Sequence, residues 1–316
     1  MAKLRNVFVI ISERGVLVLL KAIFNLCHAS FIKYILREKH ICKKIFNYKM
    51  YLDLFDPGIS RSLILFSERE IDHKIILEKI LKPGMTVFDI GANVGYYALM
   101  ELDLIGSSGK LLAIEPSPNN IELLNRNLIL NNYFDINVIN GAVSDISSTR
   151  EFFLSDFSNL NTFHNVGTGV KHLSGKKINV KTYTVPDLAK KYGKPDLIRM
   201  DVEGHEVEVL NGMIESIKDN EINPMIIFET HLTRYNKDHD MELSLRALFD
   251  HGYKTKYLAS SSERKTNIIN KMDYKKSNII KTDGVIRRIY EDIDNEDAIQ
   301  LICHKGGART IFLTNK

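Results

Sequence analysis

At 316 residues, with 44% apolar and 26% charged residues, the chain suits one large globular domain with insertions or two small ones, and excludes a disordered or fibrous protein. The net charge of +4 is unevenly placed: residues 1–50 hold ten Lys or Arg against two Glu, so the main body is slightly acidic and argues against a nucleic-acid-binding face. Three scattered cysteines, Cys27, Cys42 and Cys303, form no C-x-x-C, which excludes a disulfide framework and a zinc finger and points to a reducing, cytoplasmic compartment.

Apolar runs at 7–11 and 16–20 are interrupted by Glu13, Arg14 and Lys21, so no run reaches the ~20 residues a membrane span needs. No small-residue cleavage site follows them. Residues 1–60 therefore read as a basic helical appendage that packs on the main domain or a second subunit. Its other reading is peripheral membrane contact through residues 1–50, by Lys33, Arg37, Lys39, Lys43 and Lys44. A short strand over 47–55 closes at Asp56-Pro57-Gly58, and the spacing predicts an N-cap at Ser67 and a helix over 71–81 that Pro83-Gly84 ends.

The apolar run 85–90 reads as a buried strand that turns through Gly91 and Gly95 into a helix over 96–104. A second strand, 110–114, ends in Glu115-Pro116, a helix covers 119–132, and a third strand, 136–140, leads to Ser144 and Asp145. This βαβαβ rhythm with short loops means a doubly wound, mostly parallel α/β sheet. Residues 146–183 break it as a polar, glycine-rich hairpin or lid. After a helix from 185, the fourth strand, 196–200, runs into Asp201-Val202-Glu203-Gly204-His205-Glu206 and another helix. The fifth, 225–228, ends in Glu229-Thr230-His231, a helix follows over 241–250, and closing strands are expected at 254–258 and 309–313, around a second insertion at 259–308. Residues 61–316 are thus expected to form one domain.

The loop after the first sheet strand has G-x-x-x-G spacing and lacks the second glycine that lets backbone press on a pyrophosphate. It suits a smaller, less anionic ligand. Glu115, at the tip of the next strand, is placed to accept both ribose hydroxyls of a nucleoside, and Ser144 and Asp145 to meet an adenine edge. A nucleoside without a pyrophosphate suggests S-adenosylmethionine. The cofactor cleft is therefore assigned to Asp89, Gly91, Ala92, Asn93, Gly95, Glu115 and Ser144. The plainer alternative is that the glycines only make a tight strand–helix turn.

Several segments together resemble the FkbM-type family of S-adenosylmethionine-dependent methyltransferases: FDIGANVGYY at 88–97, AIEP at 113–116, GAVS at 141–144, DLIRMDVEGHE at 196–206 and IFE at 227–229. The resemblance covers roughly 65–235 and implies a Rossmann-like, seven-stranded sheet of the class I methyltransferase type. It also implies methyl transfer to a hydroxyl of a sugar, lipid-linked glycan or secondary metabolite. Where the family often reads Glu-Gly-Ala-Glu, this chain has His205 in the alanine position.

Glu203-Gly204-His205 and Glu229-Thr230-His231 are Glu-x-His steps at the ends of strands expected to be neighbours, so they and Asp201 face one rim. Oxygen methylation needs an acceptor that loses its proton, and histidine or a carboxylate–histidine pair takes a proton near neutral pH. In one reading His231 is the base, Glu229 orients it, and Asp201 shares the acceptor site. In another, Asp201, Glu203 and Glu229, with a histidine, hold a divalent cation, which the residue types permit without demanding. In the third, Glu203 and His205 only cap the following helix. The last is preferred for His205. His205-Glu206 is not the start of H-E-x-x-H, because Val209 stands where the second histidine belongs. Competing functions are a non-catalytic protein of the same fold and a nitrogen methyltransferase acting on RNA or protein. The latter needs an N-P-P-Y-like pocket where Asp201 to Gly204 stand.

Overall fold

Strand segments of four to seven residues, buried almost throughout in the inner strands Thr86–Ile90, Leu197–Met200 and Met225–Glu229, build the central sheet of the computed structural model, which describes residues 15–164, 173–263, 267–282 and 284–315. The apolar run at 7–11, the charges at Glu13 and Arg14, and the middle of the first insertion, 165–172, lie outside the described residues.

In chain order, α1 (Val16–Tyr34), the hairpin β1 (His40–Ile45) and β2 (Tyr48–Asp53), α2 (Ile59–Phe66) and α3 (Ile71–Ile80) precede the sheet. Then come β3 (Thr86–Ile90), α4 (Tyr96–Ile105), β4 (Lys110–Glu115), α5 (Pro118–Leu130) and β5 (Asn137–Asn140). A two-residue β6 (Ala142–Val143) and the long pair β7 (Ser148–Ser155) and β8 (Leu173–Tyr183) form a small separate sheet, ordered β6-β8-β7. The main sheet resumes with α6 (Val185–Tyr192), β9 (Leu197–Met200), α7 (Glu206–Lys218), β10 (Met225–Glu229), α8 (Met241–Asp250) and β11 (Lys254–Ser260). The chain ends through α9 (Asn267–Asn270), the pair β12 (Ile280–Thr282) and β13 (Val285–Arg287), β14 (Ile289–Ile293), α10 (Asn295–Ile299) and β15 (Ala308–Thr314).

The main sheet has the order β14-β11-β15-β10-β9-β3-β4-β5. β5, β4, β3, β9 and β10 run parallel, whereas β15, β11 and β14 are each antiparallel to their inner neighbour. Successive side chains leave a strand on opposite faces, and the two halves of the core follow that alternation. Val87 and Ala113 join α3, α4 and α5 on one face; Phe88, Leu112 and Met200 join α6, α7 and α8 on the other. Two helix caps help set this frame: Thr184 accepts from the Asp187 amide at the start of α6, and Asp240 accepts from the Glu242 and Leu243 amides at the start of α8.

Three expectations need correction. The sheet has eight strands rather than seven, because the second insertion supplies β14, whose Tyr290 is fully buried against β11. Among the described residues of the segment 1–60, α1 is followed by a β-hairpin rather than by further helix. The hairpin contributes Ile41, Ile45, Met50 and Leu52 to the core shared with α4, and the boundary at 60 falls inside α2. Burial alternates along both strands, as the strand reading of 47–55 anticipated for β2. Finally, α1 begins after Glu13 and Arg14 and contains only Lys21 and Lys33 as charges, so its 19 residues are long and apolar enough to cross a membrane by length and composition.

Candidate active site

In an open parallel sheet, ligands bind beyond the carboxyl ends of strands, where successive connections leave in opposite directions. Here that point lies between β3, whose chain moves on to β4, and β9, on the other side of β3. A cleft of about 770 Å³ occupies it. Gly91, Ala92, Asn93, Glu115 and Pro116 line one wall; Asp201, Val202, Glu203 and His205 line the facing wall; Ser158, Asn159 and Phe163, from the loop between β7 and β8, cover it.

The turn after β3 is set by backbone geometry. Gly91 has φ 81°, and a Cβ there would lie 2.2 Å from the Asp201 carbonyl oxygen. Only glycine lets the turn pass this close to the end of β9. The Gly91 and Ala92 amides both donate to the Ile114 carbonyl, at 2.9 and 3.0 Å. Asn93 also has a positive φ, 52°, and its Nδ2 donates to the Ser158 carbonyl at 2.9 Å, tying the turn to the covering loop.

The residues assigned to the cofactor separate into groups. Gly91, Ala92, Asn93 and Glu115 line the cleft. Glu115 is 4% exposed; its Oε2 accepts from the Asn93 amide, and its Oε1 accepts from the Ser117 amide and Asn120 Nδ2. Burial pushes its carboxyl up to about 7 against those donors. Asp89 lies beneath, fully buried, and Gly95 packs on Leu124 at the start of α4. Ser144 is not in the lining; its hydroxyl lies between Asp145 Oδ1 and His205 Nε2, both at 2.9 Å. β6 displaces this segment into the small sheet, which simple strand counting does not anticipate. A carboxylate at the β4 tip, close glycine backbone and the apolar Ala142–Val143 wall suit a nucleoside.

The expected acceptor residues are also rearranged. Asp201 and Glu203 line the cleft, but Glu229 and His231 do not. Glu229 does not orient His231; it pairs with Arg309 at 2.7 Å, and burial pushes its carboxyl up to about 7. Glu206 holds His231 instead, with Oε1 3.0 Å from Nδ1, and leaves Nε2 3.5 Å from Glu203 Oε2. Burial favours neutral His231, but the charge and hydrogen bond of Glu206, with Glu229 and Glu203 nearby, hold it well above the usual imidazole range. That balance favours the imidazolium, which cannot accept a proton, and so works against His231 as the base. Glu203, pushed up to about 8 by burial and then by Asp201, changes charge near neutral pH on the wall facing Glu115, whose own carboxyl burial raises to about 7. For the cation reading, Asp201 and Glu203 come within metal-ligand spacing of His231, but Glu229 is outside that group.

Four residues escaped the sequence reading. Arg199, inside the buried strand β9, donates to Asp89 Oδ1 at 3.0 Å, the Gly91 carbonyl at 3.2 Å and Asp201 Oδ2 at 3.3 Å, with its guanidinium 4.0 Å from the Tyr97 ring centroid. An arginine within an apolar strand run is the signal that points to it. Glu206 is the second. Glu70 and Arg309 are the others, joined at 2.6 Å; Tyr97 donates to Glu70 at 2.5 Å. Burial alone would raise Glu70, but Arg69 and Arg309 outweigh it and hold it well below the usual range.

Residues 89–255 match the methyltransferase FkbM domain. The chain is 26% identical over 196 residues to the hexuronic acid methyltransferase AglP of Haloferax volcanii, covering 55% of this chain and 75% of that protein. It is 33% identical over 99 residues to ribosomal RNA large subunit methyltransferase E of Legionella pneumophila, but this spans 31% of the chain and less than half, 46%, of the relative. Methyltransferase FkbM from Methylobacillus flagellatus is a structural neighbour at 16% identity, covering 73% of this chain and 52% of that one; its TM-score of 0.33 carries no argument.

Proposed function

This chain belongs to the FkbM methyltransferase family and uses S-adenosylmethionine, and from that premise we propose that it methylates a hydroxyl oxygen of a sugar or lipid-linked glycan. The observation that carries the proposal is Glu203: a carboxylate on the cleft wall opposite Gly91 and Glu115, with a raised pKa and His231 and Glu206 behind it. S-adenosylmethionine supplies an electrophilic methyl group, so a C–O bond forms as the C–S bond breaks. Glu203 takes the hydroxyl proton, and a pKa of about 8 makes it an effective acceptor once ionised. Asp201, fixed by Arg199, and the covering loop with Phe163 hold the acceptor in line and exclude water.

A sugar acceptor is supported by the likeness to AglP. A carboxylate acceptor needs no base, whereas a hydroxyl does, and Glu203 favours the hydroxyl. The test uses methyl-labelled S-adenosylmethionine with neutral and uronic-acid glycans. An alkali-stable methyl ether is expected; an alkali-labile ester, or labelling of RNA alone, overturns the proposal.

We also propose that α1 rests on an anionic membrane surface. Ala22, Asn25 and Ala29 dock it on the domain, while Leu17 and Phe24 are 82% and 69% exposed beside Lys21. Apolar side chains flanked by lysine suit an acidic lipid surface, which would bring a lipid-linked acceptor near the cleft. Cosedimentation with phosphatidylglycerol vesicles that is lost in Leu17→Glu/Phe24→Glu is expected, and equal partition of both proteins refutes the contact.

A further inference from the structure

Beside the methyl-transfer cleft, the loop between β7 and β8 meets the start of α7 through side chains that the reaction does not use. His164, from that loop, and His205 and Glu208, at the start of α7, each offer one ligand atom, and these atoms lie within 4.8 Å of one another. We propose that His164, His205 and Glu208 bind a divalent transition-metal ion of the zinc class, which clamps the covering loop to α7.

The proton inventory carries the argument. Asp145 is held below the ordinary carboxylate range: burial opposes this, but the Ser144 hydrogen bond and Arg150 outweigh it. Ionised Asp145 can only accept, so Ser144 gives it its single hydroxyl proton. The Ser144 oxygen must then accept from His205 Nε2, which fixes the His205 proton on Nε2. Nδ1 is left as a lone pair, 3.2 Å from Glu208 Oε2. Both atoms are buried and neither has a hydrogen-bond donor. Two buried acceptors facing each other repel unless a cation lies between them.

The surroundings match how metal ligands are supported. A ligating histidine commonly donates its other ring N–H to a carbonyl or carboxylate, which fixes its tautomer. His164 Nε2 is 3.0 Å from the Gly204 carbonyl, which can only accept, so its Nδ1 carries the lone pair. His239 bonds the same carbonyl and holds the second Glu208 oxygen at 2.9 Å, positioning that carboxylate from outside. The ligand-to-ligand edge of a tetrahedral site with ordinary zinc bonds is roughly 3.3 Å, close to the His205–Glu208 separation. Two imidazoles and one carboxylate suit zinc, cobalt or nickel rather than magnesium or calcium.

The full chain, stripped with a chelator, is titrated with zinc by calorimetry and with cobalt by absorption spectroscopy. One equivalent of zinc is expected, with cobalt bands of a four-coordinate nitrogen–oxygen site. His164→Ala and Glu208→Gln should each weaken zinc more than the roughly 10–100-fold that loss of a supporting partner costs, His239→Ala should fall in that range, and Glu203→Gln should bind normally. Circular dichroism confirms that the variants are folded. Failure of the unaltered chain to bind one equivalent overturns the site regardless of the variants. Binding that survives both His164→Ala and Glu208→Gln, or is lost in Glu203→Gln, also overturns it.

Discussion

Replacing Arg199 by leucine tests how the cleft is held together. The arginine is 2% exposed and Asp89 is fully buried, so its removal leaves a carboxylate beneath the cofactor turn with no counter-charge. It also removes a donor from the Gly91 carbonyl and from Asp201. Breaking a buried ion pair from one side costs about 3–5 kcal/mol, a large part of the ~5–15 kcal/mol that holds a domain folded. Asp89→Asn in the same chain removes the stranded charge, so the double variant should recover part of the loss. The pH dependence has a definite sign. Burial already raises the Asp89 carboxyl despite Arg199, and without Arg199 it rises further. A carboxyl whose folded pKa exceeds its unfolded value, near ~3.9, costs most above the folded pKa and nothing below the unfolded one. The Arg199→Leu deficit should therefore shrink as pH falls through that window. Urea unfolding across pH measures it. A deficit below about 1 kcal/mol, or one independent of pH, would refute the account of this pair.

Further predictions concern the chemistry and the turn. The rate should rise with pH through about 8 as Glu203 loses its proton, and Glu203→Gln should lower kcat by roughly 10²–10⁴ and abolish that limb. His231→Ala removes a positive charge that lowers the Glu203 pKa, so the limb should move to higher pH; an unmoved limb would remove His231 as a positioning residue. Glu115→Ala should abolish S-adenosylmethionine binding in calorimetry, and near-normal affinity sinks its assignment to the ribose. Gly91→Ala should cost at least the ~1–3 kcal/mol of left-handed strain, because the added Cβ meets backbone rather than a side chain that can turn away. An unchanged melting temperature would contradict that.

The parallel core and the cofactor turn were legible because their signals are local. Apolar runs of fixed length and the G-x-x-x-G spacing place β3, β4 and β9, and Glu115 follows from its position at a strand end. Side-chain pairing was not legible. Glu229 and Glu206 are both near His231 in the fold, but only three-dimensional packing decides that Glu229 goes to Arg309, 80 residues later in the chain, and Glu206 to His231. β14 was hidden because a five-residue edge strand inside an irregular insertion lacks a period of its own. In the hairpin β1–β2, the alternation over 47–55 placed the second strand, which β2 bears out, whereas β1, carrying Lys43 and Lys44, was read as part of a basic surface.

The most direct test of the site is a structure of the full chain with S-adenosylhomocysteine and a hydroxyl acceptor. The account predicts the ribose hydroxyls on Glu115, the homocysteine sulfur between Gly91 and Asp201, and the acceptor oxygen within hydrogen-bond reach of Glu203. A cofactor bound away from Glu115, or an acceptor oxygen whose nearest carboxylate is not Glu203, would contradict it.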